Sequence, residues 1–140
     1  MLRTAFALAF AAALVTGCAG VKYEESGQQL RLYGSSEVPP VQTQAYGTAV
    51  VNIAADRSVT VTLSVIDMVP TAAHIHEGAA GTNGPVIVPL NKISEASFAA
   101  PDNAKLTEAQ YASYKAGNLY LNVHSAKYPG GEVRSQIAGR

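Results

Sequence analysis

Alternation of apolar and polar residues dominates the chain from about residue 30 onward and predicts β-strands. The alternation is strictest in "LRLYG", and β-branched residues fill "AYGTAVVNIA" and "SVTVTLSVIDM". The polar turn "ADRS" between the last two stretches predicts a β-hairpin. Two shorter strands are predicted in "PVIVPL" and "SEASFAA", where Pro85 and Pro89 indicate a sheet edge or a strand end.

The C-terminal third adds one predicted helix and two predicted strands. Thr107 can cap a helix over "EAQYASYKA", which Gly117 would end. Strands are predicted in "GNLYLNVHS" and "GEVRSQIAG", and the turn residues of "AKYPGG" should place them side by side. About eight strands with one short helix predict an all-β fold, an antiparallel Greek-key-like β-sandwich or flattened barrel.

The start of the chain has the pattern of an export signal. Arg3 precedes an apolar run from Ala5 to Val15, which is too short for a permanent membrane helix. The stretch "LVTGC" resembles a bacterial lipobox, which implies cleavage before Cys18 and lipidation of that residue. An ordinary signal peptide with an incidental cysteine is the alternative. Both interpretations place the mature domain outside the cytoplasm, and the lipobox adds a membrane anchor facing the periplasm or the outside.

Length and composition limit the chain to one small domain and few classes of partner. Its 140 residues, less the leader, suffice for one hydrophobic core. Ten Lys and Arg balance ten Asp and Glu with no charged block, so nothing indicates nucleic acid as a partner. We expect a signal peptide at 1–17, the lipidated Cys18 with a polar tether at 18–29, and one β domain at 30–140. Cys18 is the only cysteine, so the chain cannot form an internal disulfide.

All three histidines of the chain are predicted to lie on one face of the sheet. His74 and His76 are separated by Ile75, so both point away from the core if Ile75 points into it. The same parity in "LYLNVHS" sends the two leucines and the valine inward and His124 outward. In "GEVRSQI" it sends Arg134 outward, on the strand that should pair with the one carrying His124.

Three imidazoles on one surface suit a transition metal. Histidines at i and i+2 of a strand have Cα atoms about 6.5 Å apart, and their rings can tilt toward one ion. Nitrogen ligands favour copper or zinc over calcium or magnesium, and copper has the highest intrinsic affinity for such sites. We therefore predict a copper ion bound by His74, His76 and His124, with zinc as the less favoured metal.

Neighbouring residues have more than one interpretation. Met68 could add a soft ligand for Cu(I), and Glu77 could accept a hydrogen bond from an imidazole or be solvated. Arg134 could guide small anions or pair with Glu132. The histidines could instead be structural, with His124 tying a turn to the sheet. The loop "GAAGTNG" lacks the Lys-Ser/Thr and the helix of a phosphate loop, which excludes a nucleotide site.

Four stretches together resemble the chordin-domain (CHRD) family, which occurs in the animal protein chordin and in secreted bacterial proteins. They are "EVPPVQTQAYGTA", "AAHIHEGAAGTNGPVIVPL", "LTEAQYASYKAGNLYLNVHS" and "YPGGEVRSQI". The likeness runs from about Glu37 to Ile137. It implies an extracytoplasmic β domain and no particular reaction. Because chordin binds growth factors, the resemblance also implies, by analogy, a binding or interaction module.

A more distant similarity is to the Cu,Zn superoxide dismutases. "HIHEG" is similar to their HVHEFG-type copper strand, and "NVHS" with "GGEVRSQIAG" is similar to a later copper strand and its arginine. By this comparison His74, His76 and His124 match three of the four copper histidines, and Arg134 matches the arginine that attracts superoxide. The bridging histidine, the zinc ligands and the disulfide have no counterpart in this chain.

Three hypotheses for the function follow. The first is an envelope lipoprotein that binds and handles copper through the three histidines. The second is a copper-only enzyme similar to superoxide dismutase, in which Arg134 attracts the anion. The third is a metal-free module that binds a protein or a glycan, in which the histidines are structural.

Overall fold

The computed structural model describes residues 27–140, which form one sheet of nine strands and one short α-helix. The expected export signal, Cys18 and most of the expected tether lie outside these residues. The elements are β1 Gln28–Tyr33, β2 Tyr46–Ile53, β3 Val59–Ile66, β4 Pro70–Glu77, β5 Val86–Pro89, β6 Asn91–Ser94, β7 Ser97–Ala99, α1 Glu108–Lys115, β8 Leu119–Ser125 and β9 Val133–Ile137. Within the described range, no helix has the length and apolarity needed to cross a membrane.

All strand pairs are antiparallel, in the order β5-β4-β8-β9-β1-β2-β3-β7-β6. The sheet curls until its two edges approach each other. Leu90, between the edge strands, donates its N–H to the carbonyl of Ala73 at 3.0 Å, and Lys92 Nζ donates to the carbonyl of Pro70 at 3.1 Å. The result is a nearly closed barrel, which confirms the predicted all-β class in its flattened-barrel form.

The elements largely follow the apolar pattern. The β2–β3 hairpin is confirmed, with Ile53 paired to Val59 across the polar turn. β5 lies at a sheet edge, as its prolines indicate. Two elements differ from the prediction: β1 begins at Gln28, inside the expected tether, and β6 was not predicted. All four residues of β6 are exposed, so this strand has no buried face and lacks the apolar alternation from which strands are predicted.

The helix is capped as its sequence predicts. The Thr107 hydroxyl accepts a hydrogen bond from the Gln110 N–H at 3.2 Å, and the Gln110 side chain accepts one from the Thr107 N–H at 2.8 Å. Gly117 follows the helix with a φ of 77°, which a residue with a side chain rarely adopts. The helix buries Tyr114 and leads directly into β8, one of the two strands that carry the histidines.

The barrel core is built from the inward residues of the strands. Ile75 is fully buried as predicted, and so are the inward residues of β8 and β9. Burial does not alternate along these two strands, because Tyr120, Asn122 and Arg134 on the opposite face are buried as well. The core side chains with the least exposure include Leu32, Leu63, Ile75, Leu119, Leu121, Val123, Val133 and Ile137. Burial of each such side chain stabilises the fold by about 1.5–3 kcal/mol. Their packing fixes the positions of β4 and β8, and the histidines lie on the opposite face of these two strands.

Candidate metal centre

The pairing of β4 with β8 brings the three histidines together. His74 lies opposite Asn122 and His76 opposite Tyr120, so His124 is a diagonal neighbour of His74. Nδ1 of His74 is 3.0 Å from Nε2 of His124. One ring nitrogen from each of the three side chains lies within 4.8 Å of the others. The spacing of the predicted ligands is therefore that of a compact cluster.

These separations fit a single ion. Two nitrogens at right angles around an ion, each about 2.0–2.1 Å from it, are about 2.9 Å apart, and in a tetrahedral arrangement about 3.4 Å. The 3.0 Å between His74 and His124 matches such a pair. Ligands on opposite sides of an ion are about 4.1 Å apart, so the widest pair needs a movement of under about 1 Å.

Backbone carbonyls orient two of the rings. Nδ1 of His76 lies 2.9 Å from the carbonyl of Gly84, and Nδ1 of His124 lies 2.9 Å from the carbonyl of Pro129. A carbonyl only accepts, so each Nδ1 carries a proton and Nε2 is the ring atom left to bind an ion. Histidines that bind metals are typically held in this way. Nε2 of His76 is buried and has no hydrogen-bond partner, a cost of about 1–3 kcal/mol that a bound ion would remove.

A second set of contacts fixes the ring of His76. It stacks on Tyr120 with ring centroids 4.7 Å apart and planes within 4°. The Arg134 guanidinium lies 3.4 Å from the centroid of the same Tyr120 ring. His76 is consequently the most constrained ligand of the three and is 8% exposed, whereas His74 and His124 are half-buried.

Burial keeps the cluster ready to bind a cation. Burial, together with the smaller effects of the His124 and His76 charges, lowers the pKa of His74 to about 4. Burial also lowers the pKa of His76, opposed by the hydrogen bond to the Gly84 carbonyl. These shifts favour the neutral form of both rings, which is the form that binds a metal ion.

Arg134 lies on the predicted face but is not open to solvent. It is 1% exposed, because the loop between β4 and β5 folds over it. Its guanidinium donates to the carbonyl of Thr82 at 2.8 Å and to the side-chain oxygen of Asn83 at 3.2 Å. The alternative of an Arg134–Glu132 pair is not formed either, since the Glu132 carboxylate accepts from the hydroxyls of Thr43 and Ser125.

Two other predicted neighbours have different partners. The Glu77 carboxylate accepts a hydrogen bond from the Ser113 hydroxyl of α1, rather than from an imidazole. Met68 packs against the apolar core cluster. The carbonyls of Gly84 and Pro129 are the acceptors for the imidazole N–H groups, the role that was one of the two alternatives for Glu77.

The sequence interpretation missed two buried polar residues beside the cluster. Asn122 is 2% exposed and its side-chain oxygen has no partner. Its parity with His124 is a signal that could have identified it. Glu37 is 5% exposed, and burial raises its pKa to about 7 against the opposing charge of Arg134. Glu37 lies outside the strands, so no alternation of apolar and polar residues could have predicted its burial. Gly131 covers both side chains: a Cβ there would lie 2.5 Å from Glu37 Oε1 and 2.7 Å from Asn122 Nδ2.

Comparison with known proteins gives one match. A family model described as the CHRD domain matches residues 29–137, which contain the three histidines and nearly the whole described sheet. Neither the curated proteins nor the solved structures include a significant match. The match covers most of the chain, as the four resembling stretches predicted.

Proposed function

The chain belongs to the CHRD-domain family, and from its histidine cluster we propose that it binds a copper ion as a lipid-anchored protein of the cell envelope. The observation that carries the proposal is the convergence of His74, His76 and His124, with two of the rings held by backbone carbonyls. The proposed role is the binding and handling of copper outside the cytoplasm.

The donor set supports copper over other ions. Within the described residues, the cluster contains three imidazoles and no thiolate or carboxylate. Nearby carboxylates have other partners: Glu77 bonds to Ser113, and Glu132 bonds to two hydroxyls. A nitrogen-only site disfavours calcium and magnesium, and among divalent metals copper has the highest affinity for it. Zinc accepts the same ligands and is the main competitor.

The cluster leaves room for an exchangeable ligand. Three protein ligands leave at least one coordination position for water or a small molecule. His74 and His124 are partly exposed, so solvent reaches this side of the cluster. A site with such an open side suits a protein that takes up and releases its ion.

The lipid anchor on Cys18 is proposed from the sequence alone. Lipidation of Cys18 would leave nine residues before β1 begins at Gln28. A fully extended segment of that length spans about 30 Å. The domain would therefore stay within about one domain diameter of the membrane surface.

Metal titration of the mature chain tests the proposal, with Cys18→Ser to omit the lipid. We expect one copper ion per chain, a copper-dependent rise in Tm and nitrogen hyperfine structure in the Cu(II) EPR spectrum. A hundredfold excess of free copper over Kd should stabilise the fold by about 2.7 kcal/mol. In competition, copper should displace zinc.

Paired variants connect the binding to the cluster. His74→Ala and His124→Ala should each abolish the nitrogen hyperfine pattern of the wild type, while the exposed Gln29→Ala should retain it. Unchanged copper stoichiometry and spectra in a variant that carries both His74→Ala and His124→Ala would refute the site. A drop in Tm without any metal dependence would instead favour the metal-free interaction module.

We do not extend the proposal to superoxide dismutation. The role of Arg134 in that reaction requires a guanidinium that can meet an anion arriving from solvent. In this structure Arg134 is buried, and its N–H groups are directed to Thr82 and Asn83. Its contacts favour a positioning role for the loop over the cluster.

A further inference from the structure

Asn122 lies at the centre of the histidine cluster in the register of β4 and β8. It is directly opposite His74 and diagonal to His76, which lies opposite Tyr120. His124 is two residues further along β8, so its side chain lies on the same face as that of Asn122. Side chains directly opposite each other in an antiparallel pair have Cβ atoms about 4.5–5.5 Å apart, and diagonal ones are within reach of long side chains. Asn122 therefore adjoins all three proposed ligands.

The Asn122 side chain forms the floor of the cluster. It is 2% exposed, whereas His74 and His124 are partly exposed. The asparagine side chain is also shorter than a histidine side chain, so its amide lies closer to the sheet than the imidazole rings do. An ion held between the rings would have this amide on its core side and solvent on the other.

Contacts with the turn after β8 fix the orientation of the amide. A Cβ on Gly131 would lie 2.7 Å from Asn122 Nδ2 and 2.5 Å from Glu37 Oε1, so the NH₂ group lies on the side of Gly131 and Glu37. Burial raises the pKa of Glu37 to about 7, and the charge of Arg134 and a hydrogen bond from the Asn122 side chain oppose this shift. The opposite orientation would place the amide oxygen against the Glu37 carboxyl, acceptor against acceptor. Oδ1 of Asn122 is therefore turned away from Glu37.

On its other side the amide meets the ring of His76. Burial lowers the pKa of His76, and the Asn122 side chain opposes this by accepting a hydrogen bond from the protonated ring. Nδ1 of His76 already donates to the Gly84 carbonyl, so Nε2 is the ring atom that adjoins Asn122. Both Nε2 of His76 and Oδ1 of Asn122 are buried without a hydrogen-bond partner, although buried acceptors are almost always paired. One cation bound by both atoms would satisfy them together.

We propose that the amide oxygen of Asn122 is a fourth protein ligand of the ion and that it favours Cu(II) over Cu(I). The inference rests on the proposed metal binding and adds a ligand to it. A carbonyl oxygen is a hard donor, whereas Cu(I) is selected by soft sulfur ligands. Loss of this oxygen should therefore weaken the binding of Cu(II) and leave that of Cu(I) unchanged.

A measurement on the mature Cys18→Ser chain with all other residues unchanged tests the ligand directly. Asparagine is labelled with ¹³C at Cγ, and Zn(II) serves as a diamagnetic probe that accepts the same donors. Coordination through oxygen polarises the amide, so the Asn122 signal should shift downfield until one zinc is bound per chain. The signals of Asn52 and Asn91, on strands without ligands, should stay in place.

The two proposals fail in different ways in this experiment. Zinc bound by the histidines without a shift of the Asn122 signal would overturn the fourth ligand and leave the three-histidine site intact. Absence of both zinc and copper binding would refute the proposed function and the fourth ligand with it.

Two variants then separate the oxygen from the rest of the side chain. Asn122→Leu and Asn122→Asp both remove the NH₂ group that faces Glu37, but only Asn122→Asp keeps an oxygen. Asn122→Leu should bind Cu(II) at least about tenfold more weakly. With Cu(I) affinity unchanged, its Cu(II)/Cu(I) potential should rise by about 59 mV for each tenfold loss. Asn122→Asp should retain Cu(II) binding.

The exposed Asn91→Leu is the matched control and should behave as wild type. Equal Cu(II) affinity in Asn122→Leu and wild type would overturn the proposal. Equal weakening in both Asn122 variants would also overturn it, because that result assigns the effect to the lost contact with Glu37. If Asn122→Leu does not fold, the ¹³C measurement on the unsubstituted site still decides.

Discussion

His74 and Glu37 respond to pH in opposite directions, although burial is the main cause of both pKa shifts. The folded state lowers the pKa of His74 from 6.5 to about 4, so the unfolded chain binds the extra proton and stability is lost as pH falls through that interval. It raises the pKa of Glu37 from 4.5 to about 7, so stability is lost as pH rises through that interval. Between pH 4.5 and 6.5 the two effects oppose each other.

The first prediction separates these two effects. Glu37→Gln removes the carboxyl titration, so metal-free protein should lose stability more steeply on acidification from pH 6.5 to 4 than wild type does. The shift of His76 acts in the same direction as that of His74. Urea unfolding at a series of pH values measures the slope, with the exposed Glu95→Gln as control. Identical slopes in the two variants would contradict the assignment.

Gly84 is the residue at which the loop meets the cluster most closely. Its carbonyl accepts from His76, and a Cβ at this position would lie 1.7 Å from the carbonyl oxygen of Glu77. No backbone atom can tolerate that approach, so only glycine allows the carbonyl to reach the imidazole.

The second prediction follows from this contact. Gly84→Ala should displace the loop, release His76 and weaken copper binding by about 10–100-fold, the usual effect of losing the group that orients a ligand. Gly130→Ala is the matched control, because a Cβ there meets nothing within 4 Å. Calorimetric titration with copper measures both. Equal affinities would show that the carbonyl of Gly84 does not position the ligand.

At the scale of elements, the loop between β4 and β5 is attached to the sheet by side chains of β8 and β9. Arg134 binds Thr82 and Asn83, and Gln136 donates to the carbonyl of Gly78 at 2.9 Å. The Tyr120 hydroxyl accepts from the Gly84 N–H at 3.1 Å. These bonds hold the loop as a cover over His76, so β9 influences the cluster without contributing a ligand.

The third prediction tests that attachment. Arg134→Met keeps an unbranched apolar stem but loses the guanidinium donors, so amide exchange in residues 78–85 should become faster and copper affinity should fall by about 10–100-fold. The exposed Arg31→Met is the control for loss of a positive charge. Hydrogen exchange followed by mass spectrometry gives the first readout and copper titration the second. Faster exchange with unchanged copper affinity would show that attachment of the loop does not affect copper binding.

At the scale of the whole molecule, the strands of the barrel differ in how completely they are paired and buried. β8 is paired on both sides and almost entirely buried, whereas β6 is an edge strand with four exposed residues. The two edges of the sheet are linked near Leu90 and by the contact of Lys92 with Pro70. Local opening is easiest where few apolar contacts are broken, so β6 should open most readily.

The fourth prediction concerns the effect of the metal on this pattern. All three ligands lie on β4 and β8, so copper should slow amide exchange in those strands and in the loop over His76, and leave β6 and β7 unchanged. Exchange measured with and without copper, and with His124→Ala as the control, tests this. Equal slowing of amide exchange in all strands would contradict local stabilisation of β4 and β8 by the ion.

Parity within a strand is a local property of the backbone, which is why the sequence predicts it well. The alternation around Ile75, the β2–β3 hairpin and the capped helix after Thr107 all follow from neighbouring residues alone. The shared face of His74 and His76 is determined in the same way. The export signal and the lipidation of Cys18 rest on sequence pattern only and stay predictions.

Contacts between distant segments decide which strands pair and which residues are covered, and the pattern within one strand contains no information on either. β4 and β8 are separated by some forty residues, and only their pairing brings His124 to His74. The cover over Arg134 and the burial of Glu37 depend on loops whose course no periodicity describes. The sequence alone therefore determined which way each strand residue faces, because that is set by the alternating backbone. The tertiary structure decided which outward residues meet and which are covered, because both depend on contacts between distant segments.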